Sequence, residues 1–94
     1  MALRRYGNKR DQIEADCIKA LEQAHCSVYS LDLPLDALVG RVDPRLGPMT
    51  FLLEFKEPGK GKLTPDQLEF IKTWRGHYAV VHSPDEALKA VGVL

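Results

Sequence analysis

The stretch TFLLEFKEP, residues 50–58, constrains the fold more than any other part of this chain. Phe51, Leu52, Leu53 and Phe55 form the apolar run of a β-strand covered on both faces, a pattern that belongs to an inner strand with layers packed above and below it. Glu54 and Lys56 interrupt that run two residues apart. Side chains alternate across a strand, so a carboxylate and an ammonium share one side of it, in a place where burial penalises both.

The length of 94 residues allows one core with a few elements around it, hence a single domain over 1–94. A content of 45% apolar and 28% charged residues is ordinary for a soluble globular protein, and no run approaches a membrane span. The opening MALRRYGNKR is basic but has no apolar stretch behind it, so it fails as a secretory signal and the expected compartment is cytoplasmic. Cys17 and Cys26 have neither a disulfide framework nor a metal-ligand spacing, and they read as buried or half-buried thiols. Thirteen basic and thirteen acidic residues cancel, so the net charge makes no case for nucleic acid. The distribution is less even: Arg4, Arg5, Lys9 and Arg10 stand together without an acid, and GKGK at 59–62 adds Lys60 and Lys62.

Apolar positions at three- and four-residue steps (Ile13, Cys17, Ala20, Leu21, Ala24) predict a helix from Asn8 to about Ala24, with Glu14 on its apolar stripe. CSVYSL (26–31) and LPLDALVG (33–40) read as two strands, with Asp36 in the middle of the second, where propensity and burial both disfavour an acid. RVDPRLGP reads as a turn leading into the third strand. Thr64, Pro65 and Gln67 announce a second helix by cap, first helical position and capping-box partner; its Leu68, Phe70, Ile71 and Trp74 are expected to face the sheet, with Gly76 ending it. Gln67 shares a stripe with Phe70, Ile71 and Trp74. HYAVVHS is a fourth strand, and Ser83, Pro84 and Glu86 start a short last helix, PDEALKAVG.

Three adjoining elements thus place one acid each where an apolar residue is expected: Glu14, Asp36 and Glu54. Enclosed singly, each would cost several kcal/mol or take up a proton. A shared divalent cation changes that, since Mg²⁺ is commonly held by one or two carboxylates with water and substrate phosphate. Asp36 and Glu54 would supply such a pair, with Lys56 placed to orient an attacking water or help deprotonate it.

These residues carry a resemblance to the PD-(D/E)xK nuclease superfamily, and within it to the small stand-alone VRR-NUC proteins of phages and prophages. RDQIE resembles the family's first-helix start, ending in Glu14; LPLDALVG resembles the strand with the metal-binding aspartate, here Asp36; LLEFK fits the ExK element as Glu54 and Lys56. KLTPDQ, WRG and VVHSPDEAL resemble the closing helix and strand, with Gln67 at the helix-borne glutamine. The resemblance implies a restriction-endonuclease-like α/β fold with an αβββαβ core, about four strands in a mixed central sheet flanked by helices, and a short C-terminal helix. It further implies Mg²⁺ or Mn²⁺ and hydrolysis of DNA, with branched forms such as Holliday junctions favoured. Asp36, Glu54 and the Phe55 carbonyl would hold the ion, and Glu14 a second ion or an outer water. One departure stands out: the family often has Gly three residues before the aspartate, where this chain has Leu33, which makes Asp43 a rival for that position.

On that expectation Lys60, Lys62, Arg4, Arg5, Lys9 and Arg10 become phosphate contacts. Symmetric cutting of a junction needs two sites, hence an expected homodimer, with no membrane and no organic cofactor. His25, His77 and His82 show no zinc-like spacing, GKGK is no P-loop, and Trp74 and Tyr78 read as core or interface. The rival from another class is a nuclease-fold module that binds nucleic acid or a phage or host protein without cutting. A purely structural protein with a Glu54–Lys56 ion pair leaves Asp36 and Glu14 unexplained.

Overall fold

The structure, a computed structural model, describes residues 9–59 and 62–94, the side chains of residues 9–11 excepted. Its elements run α1 (Lys9–Gln23), β1 (Ser27–Ser30), β2 (Ala37–Asp43), β3 (Gly47–Phe55), α2 (Pro65–Thr73), β4 (His77–Val81) and α3 (Pro84–Ala90). The four strands form one mixed sheet in the order β1-β2-β3-β4, with β1/β2 and β2/β3 antiparallel and β3/β4 parallel. Mixed α/β architecture with a short C-terminal helix is the expected restriction-endonuclease-like class.

β3 is the inner strand that its sequence demands, and residues 51–56 are all buried. Phe51, Leu53 and Phe55 point to one face, where with Ala37, Val39 and Val81 they meet Cys17 and Leu21 of α1, Ala87 of α3 and Val91 just after it. Both cysteines are buried and free. α1 and α3 also pack on each other, so this side of the sheet holds the core. Leu52, Glu54 and Lys56 point to the opposite face by alternation.

Three boundaries differ from expectation. The segment at 32–36 bends and the sheet ladder begins only at Ala37, so Asp36 precedes β2 instead of lying within a strand. Arg41, Val42 and Asp43, read as turn, continue β2 because their antiparallel partners Met49, Pro48 and Gly47 extend β3 to meet them. The turn is short because Asp43 Oδ1 accepts from Arg45 N–H (2.8 Å) and Leu46 N–H (2.9 Å), so a side chain does the work of extra loop residues. Arg41 Nη1, 3.1 Å from Asp43 Oδ2, adds an ion pair and also donates to the Val91 carbonyl.

The largest departure is α2. Its cap is as expected: Gln67 N–H donates to Thr64 Oγ1 (3.1 Å), and Thr64 N–H donates to Gln67 Oε1 (3.0 Å). Its apolar side, however, buries no residue; Leu68 and Trp74 are exposed, while Phe70 and Ile71 are half-buried. The helix stands off the sheet and leaves a groove between them.

Candidate active site

The site forms where β2 begins and β3 ends. Ala37 pairs with Leu53, so Asp36 and Glu54 are the next opposed residues beyond the last rung of the ladder. Asp36 Oδ2 accepts from Phe55 N–H at 2.9 Å, which substitutes a side-chain carboxylate for the backbone carbonyl that a longer β2 would present. The Asp36 carbonyl accepts from Leu31 N–H at 2.7 Å, so backbone and side chain together tie this residue to the segments on either side. Asp36 is 5% exposed and Glu54 is fully enclosed. Lys56, 8% exposed, brings Nζ to 3.2 Å from Glu54 Oε2, and its N–H is held by the Val81 carbonyl of β4 at 3.0 Å.

Burial pushes the Glu54 carboxyl above its ordinary range, and the neighbouring Asp36 carboxylate pushes it further the same way. The Gln67 amide and the Lys56 ammonium oppose that rise without cancelling it. The capping box fixes how Gln67 does this: Oε1 is engaged by Thr64 N–H, so the amide NH₂ is the end left to face Glu54. One glutamine therefore caps α2 and faces the acid at the same time.

Neither oxygen of Glu54 receives a hydrogen bond of good geometry among the described residues, although both are sealed from solvent. Two enclosed oxygens beside a second carboxylate fit a hard divalent cation, which would take up the negative charge that the protein alone leaves under-compensated. Among the described residues no three His, Cys, Asp or Glu side chains gather into one metal-binding group. Asp36 and Glu54 would thus contribute two oxygens, with the Phe55 carbonyl, water and phosphate left to complete the shell. Glu14 is buried on α1 at 5% exposure but does not join those two as a third member of such a group.

Asp43 lies at the opposite end of the β2/β3 ladder, paired with Gly47, about 23 Å from Asp36 at ~3.3 Å per residue. Its oxygens serve the turn and Arg41, and those bonds hold its carboxyl below the ordinary range. Lys62 is exposed shortly before the α2 cap. Arg4, Arg5 and Lys60 lie outside the described residues, as do the side chains of Lys9 and Arg10. His25 and His77 are exposed; His82 Nδ1 lies 2.9 Å from Glu86 Oε1, and His82 N–H donates to the same oxygen, which ties the chain entering α3 to its first turn.

A solved structure described as a VRR_NUC domain superposes on this chain with a TM-score of 0.67, at 22% sequence identity, over 90% of this chain and 96% of that one. The chain has the fold of a VRR_NUC domain. No protein-family model and no curated protein matches the sequence. In this VRR_NUC fold, the residue before β2, the end of β3 and the first turn of α2 converge, and they carry Asp36, Glu54 with Lys56, and Gln67 respectively. Sequence reasoning had no signal for the Asp36 bond to Phe55 N–H, since the pattern around Asp36 reads as continuous strand. It did contain the capping role of Gln67, in the T-P-D-Q spacing.

Proposed function

We propose that this chain is a divalent-metal-dependent DNA endonuclease that hydrolyses phosphodiester bonds in branched DNA such as Holliday junctions. The observation that carries the reading is the enclosed pair Asp36 and Glu54, opposed at the end of one ladder, with Lys56 Nζ 3.2 Å from Glu54 Oε2. A fold maintained only for packing has no use for two neighbouring buried acids, because each raises the cost of ionising the other.

Asp36, Glu54 and the Phe55 carbonyl would hold the Mg²⁺ or Mn²⁺. When bound, such an ion supplies Lewis acidity at a phosphoryl oxygen and a more acidic water. Lys56 positions the attacking water and offers a cation to the charge developing on the phosphate. The Gln67 amide fixes the Glu54 carboxylate from the α2 side. Glu14 acts through water from α1. Lys60, Lys62 and the basic residues Arg4, Arg5, Lys9 and Arg10 contact flanking phosphates. Two copies, each cutting one strand, make the symmetric pair of cuts that a junction requires.

The test is a panel of labelled four-way junction, flap, duplex and single-stranded DNA with Mg²⁺, with Mn²⁺ and with chelator. Cutting of the branched substrates is expected with either metal, and its loss in chelator and in Lys56→Ala. Cleavage that survives both changes would sink the mechanism. DNA binding without metal and without cutting of any substrate would favour a non-catalytic module instead.

A further inference from the structure

The face of the sheet that carries Asp36 and Glu54 continues into an apolar groove of about 560 Å³ between the sheet and α2. Leu38 and Leu52 line it, and they stand two residues along β2 and β3 from Asp36 and Glu54 on the same face. From the helix side come Phe70 and Trp74, on the α2 stripe that begins with Gln67. Groove and site are therefore one continuous surface, with Leu38 and Leu52 about 7 Å along their strands from the two acids at ~3.3 Å per residue.

The helix-side wall of this groove is aromatic. The rings of Phe70 and Trp74 stack, centroids 5.2 Å apart at 26°. Trp74 Nε1 donates to the His77 carbonyl at 3.2 Å, so the indole N–H is already used and what the residue offers is its ring. The indole lies over Gly76, where a Cβ would come within 2.6 Å of Trp74 Cζ2; no other residue fits there without displacing the ring. Trp74 is nevertheless 40% exposed. Among the described residues no carboxylate lines the groove. Arg75, just after α2, is exposed between two lining residues.

Resting on the DNA-cleavage reading above, we infer that this groove receives an unstacked nucleobase from the nucleotide next to the scissile phosphate, held against Trp74 and Phe70. Aromatic faces take any base, because every base has a π-face, while the exposed Arg75 beside Trp74 offers a cation to the sugar-phosphate chain. A paired, stacked base cannot enter a groove between a helix and a sheet. DNA with an unpaired nucleotide at a branch, flap or end can supply one at little unstacking cost. Selectivity for DNA structure then resides in the groove and chemistry in the acids, on one helix and two strands.

Trp74 is the sole tryptophan, so its fluorescence reports this groove alone. The full chain, with Ca²⁺ in place of Mg²⁺, is titrated with a fluorophore-labelled short oligothymidylate and with an abasic strand of equal length, reading tryptophan emission and probe anisotropy together. Expected is quenching by oligothymidylate but not by the abasic strand. Trp74→Ala should weaken oligothymidylate binding about tenfold, the size of one lost stack, with abasic binding unchanged and Trp74→Phe retaining most of the affinity. Oligothymidylate that binds without quenching, and equally well to Trp74→Ala, overturns the inference and leaves the nuclease reading standing. No binding of either strand, with an uncut junction, removes both. Emission that changes with protein concentration in the absence of DNA, with a dimer by light scattering that Trp74→Ala dissociates, assigns the groove to a second copy and overturns the inference too. The quenching experiment needs no variant, so a misfolded substitution does not protect the idea.

Discussion

Adding Mn²⁺ should stabilise this protein against heat, and the gain should grow with pH. Glu54 is the reason: its folded-state carboxyl sits above the ordinary value because it is enclosed and faces Asp36. A raised carboxyl contributes stability that is present below the unfolded value of 4.5 and is lost as pH rises through the folded value, since the buried group must then ionise. Metal binds the ionised pair, so protons compete with it on the acid side and the competition fades toward pH 8. At a tenfold excess of metal over its dissociation constant, linkage gives about 1.4 kcal/mol. A chain of 94 residues has an unfolding entropy near 0.2 kcal/mol per kelvin, taking ~2.1 cal/mol/K per residue, so Tm should rise by about 7 °C. The assay is differential scanning fluorimetry with and without Mn²⁺ at pH 5 and pH 8, on the parent chain and on Glu54→Gln. Glu54→Gln should abolish the metal shift and flatten the metal-free pH dependence. Asp43→Asn, at the far end of the ladder, should leave the shift intact. A shift that persists in Glu54→Gln, or one larger at pH 5 than at pH 8, would refute the reasoning.

Asp36→Asn should end junction cleavage, while Asp43→Asn should lower Tm and leave cutting in place; gel assays and melting curves on both variants check this. The stability that Asp43 gives to the β2/β3 turn is present above the unfolded value of 3.8 and is lost as pH falls through its lowered folded value, so Asp43→Asn should narrow the Tm gap to the parent chain in acid. Gln67→Ala removes the capping partner and should cost about 1 kcal/mol in denaturant titration with a modest loss of cutting. Gln67→Glu keeps a carboxylate oxygen for Thr64 N–H but sets a third negative charge beside Glu54, so it should impair cutting more than the alanine variant does. Cys17 is fully enclosed and its thiol is pushed up to about 12 by burial, with nearby acids adding to the effect, and Cys26 is buried too. Neither thiol should react with Ellman's reagent at pH 8 until denaturant is added; rapid labelling of the native chain would contradict the packing.

Periodicity made the elements legible because each is amphipathic or wholly apolar: α1 by its three- and four-residue steps, β3 by its unbroken apolar run, α2 and α3 by their caps. The acids were legible because they broke those patterns, and Glu14, Asp36 and Glu54 are indeed all buried. The end of the ladder at Ala37 was not legible, since LPLDALVG has nothing to say that Asp36 would trade strand pairing for a side-chain bond to Phe55 N–H. That bond depends on a residue nineteen positions away, which local propensity cannot register.

The same limit explains α2. An apolar stripe of Gln67, Phe70, Ile71 and Trp74 says that a helix has a face, not what the face meets. In this fold the sheet side beneath α2 carries Asp36 and Glu54, so close packing of the helix along its whole length would cover those acids and, on the nuclease reading proposed above, shut out a polymer substrate. The helix approaches at its N-terminal turn, where the Gln67 amide favours the charged form of Glu54, and stands away further on, where Trp74 remains 40% exposed. An apolar helix face left open beside enclosed acids lowers the stability that so small a chain can gain from its core. That loss is intelligible if the open face has a ligand, because free energy withheld from folding is then available to binding.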